Sequence, residues 1–222
     1  MEIYFPKDQG DGPGVILTFQ LFGIDAHIRR LADRIAALGY NVAVPNLYHR
    51  EGVTELPMDD AGRARGLALL NGLTRENVLA DLAETVRLLP AGPKGIVGLS
   101  MGGHIAYLAA AELRLDAAVV FFPGWLTGTD IPLSQPRPTL DLTPAITGSV
   151  LLMTGDRDHV LPPADVTMIE KSMQAAGVRH EVVRYPGVAH AFFFPGTPAY
   201  DAEAANDAWR RTEAFLASEL GS

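Results

Sequence analysis

Short runs of β-branched and other apolar residues alternate along the chain with longer segments in which apolar residues recur every three or four positions. The first pattern suits strands, the second helices with one buried face. Residues 15–19 form a continuous apolar run, as in a strand covered on both faces. Ile28, Leu31, Ile35 and Leu38 mark a helix that Gly39 would close, and residues 40–44 make the next strand, ended by Pro45. Thr74 stands as the N-cap of a helix carrying Val78, Leu82, Val86 and Leu89, with Pro90 as its stop. Residues 95–99 predict a buried strand, after which Met101, Ile105, Leu108 and Ala109 recur at helical spacing.

Further strands are predicted at 117–122, 149–153 and 180–184. Val166, Ile169, Met173 and Ala176 mark a helix closed by Gly177, and a last helix spans 201–220. Residues 123–147, rich in Pro, Gly and Thr without a clear period, predict an irregular segment over one end of the sheet. This alternation is the signature of an α/β protein with a mostly parallel central sheet flanked by helices, in three layers. No repeat or linker divides the 222 residues, so a single domain over 1–222 is expected.

Composition narrows the function. A formal charge of −8 argues against binding a phosphate backbone, which needs clustered Lys and Arg. Without any cysteine, disulfides, a thiolate nucleophile and cysteine metal sites are excluded. Residues 1–7 lack a basic stretch and a long apolar run, so a signal peptide is not expected. The longest uncharged run, 95–111, is shorter than the ~20 residues of a membrane span. The expectation is a cytoplasmic protein with no membrane or nucleic-acid partner, a monomer or small homo-oligomer.

Gly98-Leu99-Ser100-Met101-Gly102 carries the chemistry. Predicted strand, tight turn and predicted helix are the setting in which a Gly-x-Ser-x-Gly match exposes a nucleophilic serine. A serine hydroxyl needs a neighbouring base, and that base an orienting acid. The chain order Ser, then Asp, then His, each after a strand, is present. Asp156 and Asp158 follow the strand at 149–153, and His190 follows the strand at 180–184. His27, His49, His104, His159 and His180 lack that placement, and Asp156 is the alternative acid or a turn cap.

These pieces, in order, resemble the dienelactone hydrolase family of α/β-hydrolases over nearly the whole chain. The resemblance rests also on Gln20-Leu21-Phe22-Gly23, Pro45-Asn46-Leu47-Tyr48, the stretch 155–162 and Gly187-Val188-Ala189-His190. It implies the α/β-hydrolase fold and Ser100, His190 and Asp158 as a triad. It also implies the backbone N–H groups of Leu21 and Met101 as an oxyanion hole. Three departures separate this chain from the family's namesake enzymes. Ser100 replaces their cysteine, Gln20 their glutamate, and no arginine closely follows His190.

The expected activity is hydrolysis of a small ester or lactone through an acyl-enzyme, with no metal or organic cofactor. A ligand-binding protein of the same fold is the alternative, as is an acyltransferase or peptidase using the same triad. Gln20, Phe22, Tyr48, Trp125 and Phe192 are expected to line the substrate site, within a group that adds Phe121, Phe122, Phe193 and Phe194. Arg50 and Arg157 are the candidates to meet a substrate carboxylate.

Overall fold

Buried apolar strands dominate the centre of the computed structural model, which describes residues 1–221. Strands β1 (Ile3–Tyr4), β2 (Gly14–Thr18), β3 (Asn41–Pro45), β4 (Lys94–Leu99), β5 (Ala117–Phe121), β6 (Ser149–Arg157) and β7 (Arg179–Ala189) form one sheet. Their order is β1-β3-β2-β4-β5-β6-β7. Every pairing is parallel except that of β1 with β3. Residues of β2, β5 and most of β4 and β6 are buried, as continuous apolar runs require when helices cover both faces.

Helices α1 (Ala26–Ala36) and α6 (Ala202–Leu220) cover one face. There the Arg34 guanidinium stacks 3.9 Å from the ring centre of Trp209. Helices α3 (Arg75–Leu88), α4 (Met101–Glu112) and α5 (Pro163–Ala175) cover the other. Helix α2 (Asp60–Leu70) lies at the carboxyl ends of the strands, packed on the loop after β2. The chain moves from β2 outward to β3 and then back to β4 on the other side of β2. Where an α/β sheet reverses direction in this way, the loops at the carboxyl ends part and leave a crevice.

Strand and helix starts follow local chemistry. Asp25, Asp59, Thr74 and Asp201 each accept a hydrogen bond from a backbone N–H in the first turn of α1, α2, α3 and α6. Two elements are absent from the sequence reading. β1 is only a two-residue edge, and α2 carries Gly62 and Gly66 with no apolar stripe at helical spacing. Strands β6 and β7 run longer than predicted. Pro186 and Gly187 suggest a strand end, yet β7 is an edge strand, where the missing N–H of proline is tolerated. The irregular segment contains two short 3-10 turns, Pro132–Ser134 and Thr139–Ala145.

Helix α4 is buried from Met101 to Ala111, so its polar side chains need internal partners. His104 Nδ1 donates to the Gly124 carbonyl at 2.8 Å, which leaves Nε2 to accept from the Thr139 hydroxyl at 2.8 Å. Arg75 in turn donates to Thr139 Oγ1 at 3.1 Å and to the Leu133 carbonyl at 3.0 Å. Burial, aided by the nearby Arg75 charge, pushes the His104 pKa down from 6.5 to about 4. Between those values the unfolded chain takes up a proton that the folded protein refuses. Stability is therefore lost as pH falls from about 6.5 to about 4, on the order of 3 kcal/mol from this group. Urea unfolding at pH 7 and pH 4.5 checks this. The drop between the two should be smaller in His104→Gln than in the parent, and an equal drop would refute it.

Candidate active site

The turn between β4 and α4 is strained. Ser100 adopts φ 56° and ψ −115°, a conformation L-residues seldom take. The surroundings impose it: Ser100 N–H is held by the Phe121 carbonyl at 3.0 Å, and α4 starts at the next residue. A Cβ at Gly98 would collide with the Gly102 carbonyl, and one at Gly102 would lie 2.6 Å from the Phe19 oxygen and collide with that of Thr18. Only glycine permits this backbone-to-backbone approach of α4 to the ends of β2 and β4.

Ser100 Oγ lies 2.9 Å from His190 Nε2, and His190 Nδ1 lies 2.7 Å from Asp158 Oδ2. The Asp158 side chain is fully buried, and its Oδ1 accepts from the N–H groups of Val160 and Leu161 at 2.8 and 2.9 Å. A carboxylate so placed only accepts, so His190 carries its proton on Nδ1 and offers the Nε2 lone pair to the serine hydroxyl. A register shift between Gly155 and Arg157 leaves Arg157 paired with Ala189, so that Asp158 and His190 follow side by side. Asp156 points elsewhere, accepting from Gly187 N–H at 2.7 Å and so tying β6 to the bend in β7. The His190 ring is packed edge-on by Phe122, centroids 5.0 Å apart, and by His159 at 5.8 Å.

Met101 is the first residue of α4, where an N–H has no intrahelical acceptor. Leu21 lies in the loop after β2, its N–H without an acceptor among the described residues. Both residues are at the carboxyl end of the sheet beside Ser100, and Leu21 lines the cavity onto which Ser100 and His190 open.

That cavity measures about 460 Å³. Phe22, Phe122, Trp125, Val160 and Phe194 form its apolar walls, and Met58 and Leu67 an apolar rim. Gln20 also lines it, with Nε2 donating to Asp25 at 2.9 Å. Two of the residues expected to line the site do not. Tyr48 is buried behind Leu21, edge-on to Phe19 at 5.1 Å, because its side chain turns into the core beneath the loop after β2. Phe192 is fully buried between Phe122 and Tyr185, at 5.3 and 5.2 Å, and supports the wall from behind. Phe121 and Phe193 likewise pack on each other in the core.

Neither candidate arginine reaches the cavity. Arg50 grips the buried Asp81 with both terminal nitrogens at 2.6 and 2.8 Å, and Arg157 ends β6 outside the lining. The cavity's cation is Arg63 on α2, flanked by Asp59 and Asp60. His27 and His159 are lining residues too. Arg63 escaped the sequence reading because α2 did; the Asp59 N-cap before a run of Ala, Arg and Leu was the available signal.

Strand order, crossovers and the strained serine turn are together those of an α/β hydrolase. The chain belongs to the dienelactone hydrolase family, which it matches over residues 2–220. It is 31% identical to a Synechocystis protein provisionally named carboxymethylenebutenolidase, over 97% of this chain and 89% of that one. It is 30% identical to the carboxymethylenebutenolidase of Rhodococcus opacus, over 96% and 84%. A crystal structure from Klebsiella pneumoniae, provisionally named dienelactone hydrolase, superposes with a TM-score of 0.86 at 30% identity, covering 97% of this chain and 92% of that one. The protein is thus a hydrolase of the dienelactone hydrolase type.

The turn at Ser100 predicts its own sensitivity. Gly98→Ala places a Cβ against the Gly102 carbonyl and the Thr18 hydroxyl, so α4 must shift or the turn must open. The variant should unfold several degrees below the parent in a thermal melt, an effect of about 2 kcal/mol or more. An unchanged melting temperature would show that the approach of α4 to β4 is not tight.

Proposed function

We propose that the protein is a serine-dependent hydrolase of small, largely apolar carboxylic esters or lactones. The observation carrying this reading is the hydrogen-bonded line Ser100–His190–Asp158 opening on an apolar cavity. In the proposed reaction His190 Nε2 removes the Ser100 proton as Oγ attacks the carbonyl carbon. The carbonyl oxygen becomes an oxyanion held by the N–H groups of Leu21 and Met101. Collapse breaks the ester C–O bond, the leaving alcohol takes the proton from His190, and Ser100 stays acylated. Water, deprotonated by the same histidine, then releases the acid and restores Ser100. Asp158 holds the imidazole in the required tautomer and stabilises its charged form.

The lining supports the substrate class. Most walls are aromatic or aliphatic, as in small-molecule sites generally. Its two carboxylates, Asp59 and Asp60, outnumber its one guanidinium, Arg63. A substrate bearing a free carboxylate would meet net repulsion at this mouth, whereas a neutral ester meets none.

Ser100→Ala should lower kcat by about 10⁴-fold or more while preserving the circular dichroism spectrum, His190→Ala should match it, and the double variant should lose little further. Retention of more than about a hundredth of parental turnover by Ser100→Ala would exclude the mechanism. Fluorophosphonate labelling located at Ser100 by mass spectrometry distinguishes the enzyme from a ligand-binding protein, which would not label rapidly. Asp158→Asn should cost about 10⁴ in kcat and Asp156→Asn only a few-fold; the reverse order would reassign the acid. For substrates, p-nitrophenyl butyrate should be turned over with a kcat/KM at least equal to that of a dienelactone. A dienelactone preference of about a hundredfold would refute the apolar-substrate reading.

A further inference from the structure

Tyr48 is nearly inaccessible to solvent, and its hydroxyl reaches the two residues assigned above to the oxyanion hole. It donates to the Leu21 carbonyl at 3.2 Å and lies 3.5 Å from the Met101 sulfur. Burial raises its pKa far above the ordinary phenol value, so the hydroxyl remains a donor at working pH. Its backbone is fixed in turn. Tyr48 N–H is held by the Asn46 side chain at 3.0 Å, and the Tyr48 carbonyl accepts from Glu51 N–H at 2.9 Å.

Helix α2 also closes on Leu21. A Cβ at Gly66 would sit 2.6 Å from the Leu21 oxygen and 3.0 Å from the Leu21 Cβ. The following peptide is pinned as well, with the Phe22 carbonyl accepting from Leu56 N–H at 2.8 Å. Leu21 is therefore gripped by two residues, neither of which lines the cavity. Its N–H and C=O belong to peptide planes joined at one Cα, so fixing the carbonyl limits how far the N–H can swing.

We infer that Tyr48 and Gly66 form a clamp on the Leu21 carbonyl that positions the Leu21 N–H for the oxyanion, with Tyr48 a positioning residue that touches no substrate. This rests on the serine-hydrolase reading above. It predicts an effect confined to the transition state, where the oxyanion charge develops, and little effect on ground-state binding.

Tyr48→Phe removes one oxygen and keeps the ring. With p-nitrophenyl butyrate its kcat should fall about tenfold to a hundredfold, with KM within about twofold of the parent, less than the loss of a whole oxyanion donor. Affinity for phenylboronic acid, which forms a tetrahedral adduct on the serine, should weaken by a similar factor. Gly66→Ala, whose Cβ would press on the same carbonyl, should show the same split and serves alone if Tyr48→Phe fails to fold. A purely structural role would lower the melting temperature and leave both kcat and boronate affinity unmoved; that result overturns the inference. A kcat loss with unchanged boronate affinity also overturns it. Ser100→Ala is measured alongside. An inactive Ser100→Ala with a fully active Tyr48→Phe refutes the clamp alone, whereas an active Ser100→Ala refutes both readings.

Discussion

Much of this molecule depends on how closely α4 approaches the ends of β2 and β4. The helix starts one residue after Ser100, and its first turn lies against the Thr18 and Phe19 carbonyls where no side chain fits. That approach forces Ser100 to a positive φ and sets Met101 N–H at an open helix end. It also brings the loop carrying Leu21 beside the serine. A side chain at Gly98 or Gly102 would separate these parts, because nothing else in the turn can yield. The energy of one strained residue is of order 1–3 kcal/mol. A nearly continuous buried core on both faces of the sheet offsets it.

Around this contact, buried polar groups do the positioning. His104 stands one turn into α4 and ties the Gly124 carbonyl to the helix, while Ser134 Oγ donates to the Trp125 carbonyl at 2.6 Å. Phe122 and Trp125 both have positive φ, so this cavity wall is held in a conformation that it would not keep unaided. The Gly124 carbonyl and the Thr139 hydroxyl complete the hydrogen-bonding potential of His104, and Arg75 donates to Thr139 in turn, which lets an imidazole stay neutral at the centre of the protein. The Arg50–Asp81 pair similarly fastens α3 to the turn after β3, from which Tyr48 reaches Leu21. These groups have no part in the proposed chemistry, yet they decide where its walls and backbone donors stand.

Fold and cavity mouth draw on different parts of this chain. Fold and family follow from residues 2–220 as a whole. The mouth is set by α2, whose Asp59, Asp60, Arg63 and Leu67 contribute its charges and part of its rim.

The sequence by itself determined the order of strands and helices apart from β1 and α2, the sharp turn at Ser100 and the chain order Ser, Asp, His. Each is a local property, readable from apolar runs, glycines and caps. The family resemblance already pointed to Asp158 over Asp156; the tertiary structure adds that two acids only two residues apart turn to different partners, Asp158 to His190 and Asp156 to Gly187 N–H, across a register shift of β6 against β7. Tyr48 and Phe192 read as wall residues because aromatics at strand ends look alike in a sequence; which face they turn to is a packing outcome. Helix α2 and its Arg63 were invisible for a different reason. With glycines on its buried side, α2 has no apolar stripe, and its place over the cavity is decided by contact with the Leu21 loop, distant in sequence.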